Sequence, residues 1–370
     1  FDSKYFFGDN KTNSFTGAYP SILANPDITW ETSEQINVGL DTRFLNGRLS
    51  AVFDWYNKST KDWLVQAPIL TSYGTNAPYI NGGNVENKGV EIMLSWNDHV
   101  NDFKYGVRFN LAHNKNKVTK IANTEGIIHG PTNVLSNNTA EMFRAQVGYP
   151  IGYFWGYKTA GIFQNQEQVN STKVKLEGAE PGDVIFVDNN DDGSITDEDK
   201  TMIGNPNPDV TMGITLDFAY KGFDLSLTGM SALGHQIAKS YRSFAQNEFE
   251  NYTTEILGCW DGEGTSNRLP RFSDGAKTNW TNISDIYIED ADYFRLSNLT
   301  IGYDFKQLWK KSPLSQIRLY FTAQNLFTIT NYSGMDPEVG YGGGTAWGSG
   351  IDLGFYPSSR SYLVGVNLKF

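Results

Sequence analysis

Six residues within 188–199 have the types and the spacing of a calcium loop. Asp188, Asn190, Asp192 and Asp199 place oxygen donors at loop positions 1, 3, 5 and 12, Gly193 stands at position 6, and Ser194 offers a backbone carbonyl at position 7. Hard divalent cations take roughly six to eight oxygen ligands, and a glycine at the sixth place permits the sharp turn that wraps them. The last ligand here is Asp where Glu is usual, which leaves bidentate binding available, and Thr196 at position 9 can act through water. The spacing predicts a structural Ca²⁺ that stiffens the long segment 161–209. Asp, Asn and Gly also build ordinary acidic surface turns, and that alternative stays open at this point.

Other reactive side chains do not assemble into a site. His99, His113, His129 and His235 are scattered without metal spacing, and Glu289, Asp290 and Asp292 read as a solvated acidic edge beside a strand. The single cysteine, Cys259, excludes an intrachain disulfide and a thiolate metal site. No nucleophile, base and orienting group can be combined, so catalysis is not expected. Gly342, Gly343 and Gly344 lack the lysine and the helix of a phosphate loop. Aromatic residues in the long connections, namely Trp63, Tyr73, Tyr79, Trp260, Trp280, Tyr341 and Trp347, are candidates for contact with a substrate or a partner.

The elements that must position these residues are strands. In the final segment SYLVGVNLKF, Tyr362, Val364, Val366, Leu368 and Phe370 share one face, while Ser361, Gly365, Asn367 and Lys369 share the other. About ten residues rising ~3.3 Å each at a ~45° tilt climb roughly 23 Å, enough to cross a bilayer obliquely. Similar alternation recurs, as at Ile36, Val38 and Leu40, then Leu49, Ala51, Phe53 and Trp55, later Leu299, Ile301 and Tyr303. With two weaker candidates at 142–147 and 151–160, about eleven strands are expected. Phe53, Trp55, Trp96, Tyr105, Tyr220 and Tyr303 are expected to face lipid or its interface.

Connection lengths carry the stronger signal. Short links at 45–47, 97–102, 148–150, 221–222 and 306–315 alternate with long ones at 58–88, 114–141, 161–209, 231–292 and 328–360. An outer-membrane barrel has short periplasmic turns and long extracellular loops. Counting back from a periplasmic C-terminus places all five short links on the periplasmic side. Eleven is odd where even counts are the rule, so further strands are required.

Composition agrees. The chain has 370 residues, 37 Gly, 20 Tyr and a net charge of -11, which argues against nucleic acid as a partner. Mean hydropathy is -0.42, and no apolar run approaches the length of a membrane helix.

Several phrases are specific. NPDITWETSEQINVGLD (25–41), YPIGYFWGYKTAGIFQ (149–164), the 181–227 segment around DVIFVDNNDDGSITDEDK, YFRLSNLTIGYDF (293–305) and AQNLFTITNYSGMDPEV (323–339) resemble the C-terminal half of the SusC/RagA-type TonB-dependent outer-membrane transporters. The resemblance implies an all-β fold, a transmembrane antiparallel barrel of 22 strands with long extracellular loops. In that reading 1–35 is an extracellular loop region, 36–370 is the C-terminal half of the barrel, and the N-terminal plug lies outside this sequence. It also implies import of oligosaccharides or peptides driven by TonB-ExbB-ExbD, a SusD-like surface lipoprotein, and residence in the outer membrane of a Gram-negative bacterium. A passive porin-like channel and a secreted glycan-binding protein are the competing readings.

Overall fold

The computed structural model describes residues 2–7, 14–19, 21–66, 74–134, 139–242, 251–272 and 278–370. Its main body is a nine-stranded antiparallel sheet in which neighbours in sequence are neighbours in space. The strands are β1 (Thr32–Phe44), β2 (Leu49–Gln66), β3 (Tyr79–Val100), β4 (Phe103–Ile121), β5 (Val210–Tyr220), β6 (Phe223–Leu233), β7 (Tyr293–Asp304), β8 (Gln316–Thr330) and β9 (Ser361–Lys369). The order runs from β9 to β1 without a crossover, and the two end strands do not pair with each other. Among the described residues no helix is long and apolar enough to cross a membrane.

Turn chemistry explains the short links. Tyr220 pairs with Phe223, leaving Lys221 and Gly222 as a two-residue loop with φ of +46° and +93°. Positive φ at both central residues matches the right-handed twist of the flanking strands. The β1–β2 link uses Leu45, Asn46 and Gly47, also all at positive φ.

Alternation divides the sheet into two faces. Val38, Phe53, Trp55, Ile301 and Val364 are exposed on the apolar face, Val364 to 74%. An apolar face this open is built for hydrocarbon, with the polar face turned to a lumen. On the polar face Tyr56 lies over Gly89 and Tyr320 over Gly365; a Cβ at either glycine would come within 2.6 Å of the ring. Glycine is required there by the ring that covers it.

Two expected strands belong elsewhere. Phe143–Gln146 and Tyr153–Gly156 join Ile127–His129 and Thr201–Gly204 in a separate four-stranded sheet, and Thr159–Ile162 pairs with Val184–Phe186. Phe143–Gln146, Tyr153–Gly156 and Thr159–Ile162 are each four residues long, too short to span a bilayer, and the first two are mostly buried. The barrel sheet therefore has nine strands rather than eleven. The link at 148–150 moves with them, since Gly148 donates to the Val118 carbonyl and Val118 to that of Tyr149, near the far end of β4. The other four short links lie at one end of the sheet and the long connections at the opposite end.

Residues 21–31 sit at that same long-connection end. Thr29 donates its backbone N–H to Asn81, and Asn25 donates to the Tyr79 carbonyl at the start of β3.

Candidate functional site

Long connections normally leave the surface as loose loops, but here they fold into a packed layer with its own core. Met142, Phe143, Phe154, Tyr157, Ile162, Val184, Phe186, Trp280, Ile283 and Tyr287 are buried together. Ala238, in the strand Gln236–Lys239, belongs to this core, and its neighbour Ile237 packs in a smaller one with Ala291 and Tyr332. Removing so many aromatic rings from water fixes the loops as a roof over the long-connection end.

Of the aromatics expected to meet a substrate or a partner, Trp260, Trp280, Tyr341 and Trp347 lie in the long connections, while Trp63 and Tyr79 stand at the adjoining ends of β2 and β3. Trp347 bridges its core to the barrel wall, with ring centroids 5.1 Å from Phe143 and 6.2 Å from Trp63. Trp280 is buried, and its carbonyl accepts from the Tyr287 hydroxyl at 2.7 Å. Trp260 covers Gly182, where a Cβ would approach its ring to 2.5 Å. Tyr79 and Tyr341 present open rings, 48% and 38% exposed, the latter resting on Phe355 at 5.4 Å. Tyr73 lies outside the described residues.

The 188–199 loop is closed by its own carboxylates. Asp188 accepts from the backbone N–H of Asp192 and Gly193, and Asp192 accepts from that of Ser194 at 2.8 Å. Asp199 is fully buried and accepts from Asn189 at 2.8 Å and Thr196 at 2.7 Å, forming a capping box with Thr196. Burial raises the pKa of Asp199, but the backbone donors outweigh it and hold the carboxyl below its usual range. Asn190 donates to Asp192 at 3.0 Å, so the side chains at positions 3 and 5 already converge. Among the described residues no three His, Cys, Asp or Glu side chains stand in a metal-holding group.

Two charged clusters join residues far apart in the chain, which no local pattern signals, and a third is local. Arg295 of β7 is 4% exposed and donates to Asp336 at 2.6 Å, to Glu338, and to Thr328 at 2.9 Å. The Tyr293 hydroxyl donates to Glu338, and Asp336 accepts from the Ser358 backbone at 2.9 Å. Arg271 pairs with Asp183 at 2.7 Å, and Asp183 also accepts from buried Asn279. Arg144 pairs with Glu141 and lies 3.8 Å from the Trp155 ring centroid. The first ties a loop to the wall and the second ties two loops together, while the third lies within one connection. The DPE triplet in the quoted 323–339 phrase was the one available signal.

The acidic edge at 289–292 is solvated at Asp290 and Asp292, as expected, but not at Glu289. Glu289 is buried and accepts from Ser333 through both backbone and hydroxyl, at 2.9 Å each. Asp292 accepts from Gly234 at 2.6 Å. His235 is also buried; burial holds its imidazole below the usual range, partly offset by its bond to the Pro337 carbonyl.

A family model described as TonB dependent receptor-like, beta-barrel, matches residues 3–326. "TonB-dependent receptor P3" of Formosa agariphila is 32% identical over 371 residues, covering 98% of this chain and 36% of the relative. "TonB-dependent receptor SusC" of Bacteroides thetaiotaomicron is 30% identical over 376 residues, covering 100% of this chain and 34% of the relative. The chain thus spans about a third of the length of these curated relatives. In fold it is similar to the RagAB peptide transporter, with a TM-score of 0.76 at 23% identity over 100% of this chain and 38% of that one. That family is one of outer-membrane transporters and receptors, not of enzymes. With an open sheet of bilayer-length strands and a roof of long loops at one end, this chain belongs to the TonB-dependent receptor β-barrel family.

Proposed function

We propose that the nine strands form part of the wall of an outer-membrane importer of oligosaccharides or peptides. The observation that supports this reading is the roof: the connections after β4, β6 and β8 gather at one end, and their described residues are packed there by a common core, making a built vestibule above the polar face. In this reading the roofed end is extracellular and receives a SusD-like lipoprotein, and the short links and C-terminus are periplasmic. Strands outside this sequence pair with β1 and β9, because unpaired edges do not persist in hydrocarbon. Energy comes from TonB-ExbB-ExbD through a region outside this chain.

Uptake of labelled oligosaccharides and labelled peptides by cells making the intact protein tests this directly. Import of one class is expected, and it should stop when the proton-motive force is collapsed. Uptake that continues after collapse would make the protein a passive channel.

The 188–199 loop is assigned within this reading as a structural Ca²⁺ site, supported by the donor spacing and by the convergence of Asn190 and Asp192. Chelation is expected to raise hydrogen exchange across 161–209, and added calcium to restore protection. Identical exchange with and without the ion would remove the assignment.

A further inference from the structure

The four short links share a composition that the transport reading does not use. Each sets exposed apolar side chains beside basic ones: Leu45 with Arg48, Val100 and Phe103 with Lys104, Tyr220 and Phe223 with Lys221, and Leu308 and Trp309 with Lys310 and Lys311. Arg48 meets Asp98 at 3.0 Å and Lys221 approaches Asp102 at 3.9 Å. Among the described residues, Lys310 and Lys311 have no carboxylate within ion-pair distance.

The β7–β8 link is the most developed. Residues 305–315 hold three lysines and no acid in a chain of net charge -11. The segment is held rigidly. Lys306 donates its ammonium to the carbonyls of Lys310 at 3.1 Å and Ser312 at 2.8 Å, and the Phe305 carbonyl accepts from Trp309 at 2.8 Å. Gln307 packs on Gly222 of the adjacent link, and Ser315 donates to the Lys369 carbonyl at 2.7 Å. Bound in this way, Leu308 remains 72% and Trp309 57% exposed.

The surface beside them names the occupant. Tyr303 stacks edge-on with Phe305 at 5.1 Å and contacts Phe223 at 4.4 Å, so an aromatic band on the apolar face runs directly into the link. Tyr and Trp rings settle at the headgroup level of a bilayer, and lysines set just beyond apolar anchors reach phosphate while their stems stay in the interface. We infer that Leu308 and Trp309 anchor this link in the leaflet at the short-link end, and that Lys310 and Lys311 hold anionic phospholipid headgroups there. The inference rests on the reading that the apolar face meets lipid.

The test uses the intact protein in phosphatidylcholine bilayers with and without phosphatidylglycerol. Brominated phosphatidylglycerol is expected to quench a tryptophan component that Trp309→Phe removes. Mass spectrometry of the detergent-released protein should find phosphatidylglycerol retained over phosphatidylcholine. Lys310→Gln and Lys311→Gln are each expected to lower that preference about fivefold. Quenching unchanged by Trp309→Phe, or the same lipid ratio in the double lysine variant, overturns the inference. Quenching of Trp55 and Trp96 on the apolar face is the separate readout for the membrane reading, and its absence overturns both.

Discussion

Arg295→Met is expected to detach the 331–360 connection from the barrel wall at a cost of ~3–5 kcal/mol, the usual penalty for removing one partner of a buried ion cluster. The guanidinium holds both Asp336 and Glu338, and it is nearly inaccessible to water. Without it two carboxylates face each other beside Tyr293, and among the described residues neither has another cation within ion-pair distance. Hydrogen exchange of the 331–360 backbone is the direct measure, and Ser358 should be among the first amides to lose protection because its N–H donates to Asp336. Lys61→Met removes an ion pair with Glu34 whose side chains are 43% and 60% exposed, and it should change stability by no more than about 1 kcal/mol. Equal effects from the two variants would refute the latch.

Acid should open the same latch. Burial raises the Asp336 carboxyl, but the Ser358 and Glu338 backbone donors and the Arg295 guanidinium outweigh it, leaving the group below its usual range. A depressed native pKa means the unfolded carboxyl binds its proton first on acidification. The stabilisation is therefore complete above the unfolded value of about 3.9 and is lost as pH falls through the lower native value. Loop protection that declines already near neutral pH would require another group.

Leu299→Arg is the second large effect, with an expected loss of ~2–4 kcal/mol for a charge near the middle of a lipid-facing strand. Leu299 pairs with Leu227 and Ala323 on the apolar face, midway along the membrane-facing part of β7. Its neighbour Thr300 points the other way, pairing with Ser226 and bonding to Thr322 at 2.9 Å. Thr300→Arg places the same charge on the polar face and should assemble nearly as wild type. Heat-modifiable mobility on gels after refolding into bilayers separates the two outcomes. If Thr300→Arg is the one that fails, the two faces have been assigned the wrong way round.

Both predictions rely on β7, where the sequence was partly legible. Leu299, Ile301 and Tyr303 announce the apolar face by simple alternation. Extending that alternation upward would place Arg295 in lipid. The register shifts instead: Thr228 pairs with Asn298 and Gly229 with Leu296, so Ser297 is an extra residue on β7. Its hydroxyl donates to the Thr228 carbonyl at 2.9 Å, and the bulge turns Arg295 to the polar side, where Asp336 and Glu338 await it. One inserted residue reverses every side chain beyond it, and no local composition signals the insertion.

The sequence by itself determined the class of the protein, the nine long strands, their turns and the end at which the long connections gather. Two solvents, lipid outside and water inside, impose a period of two on each strand independently, so a single strand carries the evidence without its neighbours. Tertiary structure alone decided the roof. Phe143–Gln146 and Tyr153–Gly156 are strands by local pattern, yet they are buried in a loop layer because contacts with residues such as Trp280, Ile283 and Trp347 cover them. Their burial, the pairing of Arg295 with residues some forty positions away, and the setting of Trp347 between wall and roof depend on long-range contacts. Such contacts leave no periodicity in the chain, since each is satisfied by a partner whose distance along the sequence is arbitrary.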